Sequence, residues 1–310
     1  MPLAAQLHSV IGVMAYKSGI ACLCVFLLPQ LLLGDDETRG LIFYERFLGS
    51  SNTLGNVLRL DTTAGYSFNR HVSIDGGLPV FFVRPSGTAT ASGAATSATG
   101  IGNAYLELRL AAPNPLINYS TVLTGTAPTG DKDSGLSTGR VTADWTNHFD
   151  RSFGRVTPFA NVGFANTISD TPLFVRPYTT LGFVTHLEGG GAYRVARFLE
   201  AGAAAYAIEP AGRQTVISEL VPKAAPSKAQ AANNNGRGGR RGAFESAHIS
   251  VGSADLARDN GFSFWGAVHP TRIISLQLGF TRSAHYALNT ISFGIGVNLG
   301  SVLRNMRSYE

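Results

Sequence analysis

The sequence is poor in cysteine and in charged residues, and each shortage excludes a class of function. Both cysteines, Cys22 and Cys24, lie in one apolar segment near the amino terminus. Without that segment the chain has no disulfide, no thiolate metal ligand and no cysteine nucleophile. Only 15 % of the residues are charged, against about 25 % in soluble proteins. Such a low charge is typical of a wall that faces lipid rather than water.

Lysine is also scarce, so the positive charge of the chain comes from arginine. The formal net charge is +5, and the lysines are Lys17, Lys132, Lys223 and Lys228. The arginines are scattered along the sequence, apart from a group formed by Arg237, Arg240 and Arg241. Nucleic-acid binding needs a basic patch on one face of a fold. The sequence therefore predicts no nucleic-acid partner.

Long apolar runs are absent except for one near the amino terminus. Lys17 precedes the run Ser18–Leu33, which Pro29 interrupts and an acidic turn follows. A positive residue, a short apolar core and then a polar chain are typical of a secretory signal peptide. We expect residues 1–34 to be a cleavable signal peptide, with a lipoprotein modified at Cys22 as the alternative.

From about Gly40 onward, apolar and polar residues alternate with the period of two that strands require. The clearest apolar faces are Leu106, Leu108 and Leu110, then Ile274, Leu276, Leu278 and Phe280, and finally Ile291, Phe293, Ile295, Val297 and Leu299. The alternating segments are longer than the roughly five to six residues usual in soluble strands. A tilted strand that crosses a bilayer needs about 9–11 residues. This length favours a membrane barrel over a secreted β-sandwich.

Short and long connections alternate between these segments. The short ones fall near 68–71, 112–116, 150–155, 193–197 and 269–272, and the longer ones near 49–53, 85–100, 127–136, 169–176, 210–260 and 282–287. Short turns on one rim and long loops on the other are typical of outer-membrane barrels, so we predict a closed antiparallel transmembrane β-barrel of about twelve strands. This all-β fold would span residues 35–300, with 85–100 and 211–257 as long outward loops and 301–310 as a carboxy-terminal extension.

If the apolar faces contact lipid, the polar faces of the same strands line the interior. The predicted lumen-lining residues are Arg59, Asp61, Asp75, Tyr105, Glu107, Arg109, Arg140, Asp144, His148, His186 and Glu200. They carry both signs of charge, and buried charges need partners. Two interpretations stay open: a network that fills a narrow barrel, or a polar pathway that selects solutes.

A search for catalytic and cofactor motifs gives no candidate. No serine has the G-x-S-x-G context of a nucleophile elbow, and His148 and His186 lack metal-ligand spacing. The segment 131–135 lacks the later glutamate of a calcium loop. Gly100 and Gly102 open a strand rather than a helix, which is unfavourable for phosphate binding. We therefore predict no enzymatic activity and no cofactor.

The glycine-rich turns resemble a family of outer-membrane transporters named for the meta-cleavage pathway of phenol degradation. The resemblance rests on Gly100, Gly102 and Asn103, on the turn Pro128–Asp131, and on Gly135 and Gly139. The segment Asp255–Asp259 and the closing SFGIGVNLG fit the last third of that family. The chain departs from the family in its basic insertion at 211–247 and in the polar residues that follow its last strand.

The resemblance implies an outer-membrane channel related to importers of hydrophobic compounds. The expected function is a passive channel for small hydrophobic or aromatic compounds. Expected partners are outer-membrane lipid, lipopolysaccharide and the barrel-assembly machinery. Two alternatives remain: a non-transporting surface scaffold that presents long loops for adhesion, and a soluble secreted β-sandwich.

Overall fold

The computed structural model describes residues 39–86, 97–171, 173–221, 243–245, 247–271 and 273–299. The predicted signal peptide and carboxy-terminal extension lie outside these residues, as do 87–96 and 222–242 of the two long loops. No helix among the described residues is long and apolar enough to cross a membrane.

The described residues form sixteen strands and two short 3-10 turns. The strands are β1 (Gly40–Asn52), β2 (Gly55–Ser67), β3 (Val72–Pro85), β4 (Ala98–Ile101), β5 (Tyr105–Ala112), β6 (Asn118–Thr126), β7 (Thr142–Asp150), β8 (Val156–Ala165), β9 (Tyr178–Leu181), β10 (Val184–Arg194), β11 (Leu199–Pro210), β12 (Gln214–Ser218), β13 (Ile249–Gly252), β14 (Asp259–Val268), β15 (Ile274–Ser283) and β16 (Leu288–Asn298). The 3-10 turns are Ala243–Glu245 and Ala254–Leu256.

The larger sheet closes on itself. Its thirteen described strands run in the order β2-β1-β16-β15-β14-β11-β10-β8-β7-β6-β5-β3-β4, and β2 also pairs with β3. The short β4 pairs with the outer part of β3, while β5 pairs with the inner part. Apart from β4, the sheet is therefore the predicted antiparallel barrel of twelve strands, and the first and last strands meet at β1–β16. Closure leaves no open sheet edge, which a lipid environment would penalise.

The alternation in the sequence sets which side chains face outward. Apolar side chains stand exposed on the outer face of the wall; examples are Leu106, Leu123, Phe264, Leu278, Ile291 and Ile295. Exposed aromatic side chains lie at the rim with the short turns: Phe68, Phe153, Tyr193 and Phe198. An apolar band with aromatic residues at the interface is the pattern of a transmembrane barrel.

β7 begins at Thr142 rather than near residue 137, because the preceding segment folds as a turned loop. The amide of Leu136 donates to the carbonyl of Asp131 at 2.9 Å. Gly135 and Gly139 have positive φ angles of 77° and 68°, a conformation that costs glycine little. The strand predicted between the connections at 127–136 and 150–155 is therefore shorter than expected at its outer end.

A second, three-stranded sheet lies at the rim with the long loops. Its order is β13-β12-β9. The single strand predicted between the connections at 169–176 and 193–197 is thus divided, since β9 leaves the barrel and only β10 continues the wall. Gly182 separates the two strands and has a φ angle of 149°. The predicted long loop at 211–257 is also partly regular, because it contributes β12 and β13.

Candidate channel lumen

Most of the predicted lumen-lining residues are buried inside the barrel. Those with less than 5 % exposure are Arg59, Asp61, Asp75, Glu107, Arg109, Asp144, His148 and Glu200. Tyr105 is partly buried, and its hydroxyl lies 2.9 Å from that of Thr63. His186 is also partly buried. Arg140 lies elsewhere: it is exposed in the loop before β7, because the strand starts two residues later than Arg140.

One network of charges joins β2, β3 and β5. Arg109 Nη2 lies 2.5 Å from an oxygen of Asp75 and 2.6 Å from an oxygen of Glu107. Asp75 and Glu107 are directly opposed in the register of β3 and β5. Arg59 Nη2 lies 2.9 Å from Asp61, two residues along β2. Each arginine thus neutralises carboxylates that burial would otherwise leave without a counter-charge.

A second polar group lies on β7, β8 and β10, which β6 separates from β5 in the strand order. His186 Nε2 lies 3.2 Å from an oxygen of Asp144. His148 Nε2 lies 3.3 Å from Asp150, and its Nδ1 lies 2.5 Å from the side-chain oxygen of Asn161. In this group the partners of the carboxylates and of each other are histidine and asparagine side chains, whereas in the first network they are arginines.

The connection between β8 and β9 turns into the barrel. We call the described residues of this connection, 166–171 and 173–177, the inward segment. Leu173 packs against Ala204 and Trp265 on the inner wall. A Cβ at Gly279 would overlap the Leu173 side chain, so glycine there allows the close approach. The sequence predicted a longer loop here, but its direction could not be read from alternation.

Four contacts fix the inward segment to the wall. The amide of Val175 donates to Ser50 Oγ on β1 at 2.8 Å, and Thr281 Oγ1 on β15 donates to the Leu173 carbonyl at 2.9 Å. Arg59 lies 3.4 Å from Asp170, and Arg176 lies 3.7 Å from Asp259. These contacts lie on β2, β1, β15 and β14, and β8, where the segment begins, is six strands from β1 in either direction around the barrel. The segment therefore crosses the bore.

Above the inward segment, apolar side chains close the outer mouth. We call this group the outer cap. It joins barrel residues Leu48, Val57, Phe81, Val83, Val184 and Ile208 to Tyr178 and Val216 of the three-stranded sheet and to Leu136, Val175, Leu220, Val221 and Phe244 outside the strands. The rings of Tyr178 and Phe244 stack with centroids 4.4 Å apart, and Tyr286 meets Phe244 edge-on at 5.4 Å. The cap therefore has the packing of a small hydrophobic core.

Two carboxyl groups lie beneath the outer cap. Burial raises the pKa of Asp170, although Arg59 opposes the shift. Burial also raises the pKa of Glu219 well above its ordinary value, and the neighbouring Asp170 raises it further. One oxygen of Glu219, Oε2, has no hydrogen-bond partner among the described residues. The protonated form of Glu219 is therefore favoured in the folded cap.

A cavity lies between the inward segment and the wall formed by β7, β10 and β11. We call it the lumen cavity. Its lining includes apolar side chains, Ile168, Phe174, Val184 and Ile208, and polar ones, Asp144, His186, Glu188, Tyr206, Ser263 and Thr281. The lining thus combines apolar side chains with polar groups that can orient a ligand.

Several residues of the lumen were not predicted. Arg46 on β1 and Glu188 on β10 occupy inward-facing positions of their strands. The same alternation with a period of two that assigned His186 to the interior would have assigned these two residues as well. Asp170 and Arg176 belong to the inward segment. No periodicity places a loop residue, so no sequence signal could have located these two.

Comparison with known proteins identifies the fold. No protein-family model matches the chain, and no curated protein matches it. The COG4313 outer membrane channel from Pseudomonas putida F1 superposes with a TM-score of 0.53 and 13 % identity, covering 83 % of this chain and 94 % of that one. The KdgM porin in complex with oligogalacturonate has a TM-score of 0.47 and 5 % identity, covering 82 % and 98 %. The NanC porin has a TM-score of 0.45 and 8 % identity, covering 83 % and 98 %.

The chain is an outer-membrane β-barrel. Closure of the sheet, the apolar outer face and the aromatic rim support this independently of the superposition. The first of these solved structures shares the fold alone at 13 % identity. Membership of the phenol-degradation family therefore stays a prediction.

Proposed function

We propose that this protein is a passive channel of the outer membrane for small hydrophobic or aromatic compounds. The observation that carries the proposal is the lumen cavity, which combines apolar and polar side chains inside a closed barrel. A solute in this cavity would lie between the inward segment and the inner wall. The inward segment then acts as the constriction that limits what passes.

Planar-bilayer recording of the purified full chain tests the channel. We expect small conductance steps, because the inward segment occupies part of the bore. Replacing residues 168–175 with a short Gly-Ser linker removes Leu173 and the anchor at Asp170, so the steps should become larger. Migration on a gel before and after boiling shows whether each protein has folded as a barrel.

The solute class needs its own measurement. Added 2-phenylethanol should interrupt the current of the wild-type channel, because its ring would occupy the apolar part of the cavity. Conductance without any interruption would retain the channel and reject the proposed solutes.

The outer cap favours a second candidate, a barrel that does not transport and presents its loops as a scaffold. In the described residues the cap closes the outer mouth with buried apolar side chains. Absence of conductance in both the wild type and the linker variant, with both proteins folded, would reject the channel and favour the scaffold.

A further inference from the structure

The polarity of the lumen cavity changes along the barrel axis. On β10, Val184 lies near the outer rim, and His186 and Glu188 follow on the same inner face. On β11, Ile208 is paired with His186, and Tyr206 is paired with Glu188. The outer end of the cavity is therefore apolar, and its inner end is polar.

The polar end offers hydrogen-bond acceptors. His186 Nε2 lies 3.2 Å from the Asp144 carboxylate, so in the neutral imidazole the proton resides on Nε2 and Nδ1 is an acceptor. Nδ1 of His186 is buried and has no partner among the described residues. A Cβ at Gly163 would overlap the imidazole, so glycine at this position lets the ring lie against β8.

Glu188 supplies a second acceptor group two residues along β10. One of its oxygens accepts a hydrogen bond from Asn161 Nδ2 at 2.7 Å. An ionised carboxylate has about four lone-pair sites, so this single bond leaves Glu188 able to accept more. Together, Asp144 and Glu188 place two carboxyl groups on this wall of the cavity.

Among the described residues that line the cavity, Arg176 is the arginine, and it already has partners. Arg176 Nη1 donates to the Ser169 carbonyl at 2.8 Å, and Nη2 lies 3.7 Å from Asp259. The guanidinium also lies 4.6 Å from the centroid of the Phe174 ring. Its charge is thus paired with a carboxylate that is not part of the cavity lining.

We propose that the lumen cavity binds amphipathic organic cations, with a protonated amine at Glu188 and His186 and a compact apolar body against Phe174, Val184 and Ile208. An ammonium group has three donors and no acceptor, which matches a wall of acceptors. A charge-assisted hydrogen bond to a carboxylate is stronger than a neutral one. This inference deepens the proposed function, because it names a class of solute for the same lumen.

Three probes with similar apolar bodies and different heads test the inference on the wild-type protein. Isothermal titration calorimetry of the full chain folded in detergent compares 2-phenylethylammonium, 2-phenylethanol and phenylacetate. We expect the cation to bind about tenfold more tightly than the alcohol, since hydrogen bonds to charged groups are the stronger ones, and phenylacetate to bind most weakly. Equal affinities, or tighter binding of phenylacetate, would overturn the proposal.

A matched pair of variants locates the preference. Glu188→Gln should remove the advantage of the cation over the alcohol. Glu209→Gln, the same chemical change at an exposed residue of the outer rim paired with Arg258, should retain it. An unchanged preference in Glu188→Gln would contradict the assignment. Calorimetry measures binding and does not depend on conductance. A folded barrel that binds the cation preferentially but does not conduct would therefore contradict the proposed channel and leave the proposed binding intact.

Discussion

The outer and inner parts of the lumen are filled by different chemistry. The outer cap is apolar, and many of its members come from loops. The inner part holds buried charges on neighbouring strands, of which Arg109 with Asp75 and Glu107 is the most enclosed group. Contacts on strands are tied to the wall itself, whereas contacts between loops can open locally. The barrel and its cap should therefore respond separately to substitution.

Loss of the central arginine should give the largest effect. Arg109→Ala leaves Asp75 and Glu107 opposed and buried without a counter-charge. We expect the free energy of unfolding to fall by about 3–5 kcal/mol, measured by urea unfolding in lipid vesicles and read from heat-modifiable migration.

The exposed rim offers the control for this prediction. Arg258→Ala removes ion pairs with Glu209 and Asp255 whose side chains are about half exposed or more. A surface ion pair contributes about 0–1 kcal/mol. Equal decreases in the free energy of unfolding for Arg109→Ala and Arg258→Ala would show that the inner network does not stabilise the barrel.

Truncation within the outer cap should have a smaller and more local effect. Phe244→Ala removes a buried ring that stacks on Tyr178. Loss of a buried phenylalanine costs about 3 kcal/mol, so amide exchange in β12 and β13 should become about a hundredfold faster. Exchange in β2 and β3 should not change, and acceleration there would contradict separate responses of cap and barrel.

The pH dependence of the cap should be the weakest of these effects. The pKa of Glu219 is raised by burial and by Asp170, so the folded cap holds the proton more tightly than the unfolded chain. The contribution of protonated Glu219 to the stability of the cap is complete below the pKa of a free glutamate, about 4.3. This stabilisation is lost as the pH rises toward the raised pKa of Glu219, by at most about 1.4 kcal/mol per pH unit.

Glu219→Gln provides the comparison for the pH effect. The ratio of amide exchange in β12 between wild type and variant cancels the chemical pH dependence of exchange. We expect this ratio to rise with pH above about 4.3. A constant ratio would mean that Glu219 does not couple protonation to the cap.

Much of the wall could be predicted from the sequence, because alternation both forms a strand and assigns its two faces. Glu107 and Arg109 were assigned to the interior for this reason, and both are buried there. The ends of the strands could not be predicted from alternation in the same way. The loop before β7 contains its own turn, so Arg140 lies outside the wall. The limits of β7 depend on that turn and not on the alternation that follows it.

The cap and the lumen cavity could not be predicted in the same way. Leu173 and Val175 belong to a loop, and their positions depend on hydrogen bonds with Thr281 and Ser50, which are far away in the chain. No local pattern relates such residues. The polar half of the cavity could be predicted only in part. The alternation assigned His186 to the interior, but Glu188 on the same face was not among the predicted residues.

The anchors of the inward segment have a consequence for the order of assembly. Ser50 on β1 and Thr281 on β15 lie on either side of β16, at the junction between the first and last strands. Contacts between such distant parts of a chain form late, because closing long loops costs entropy before the contacts repay it. A segment from the middle of the chain can dock here only after that junction has formed, so an intermediate that lacks β16 would have a wall without its constriction.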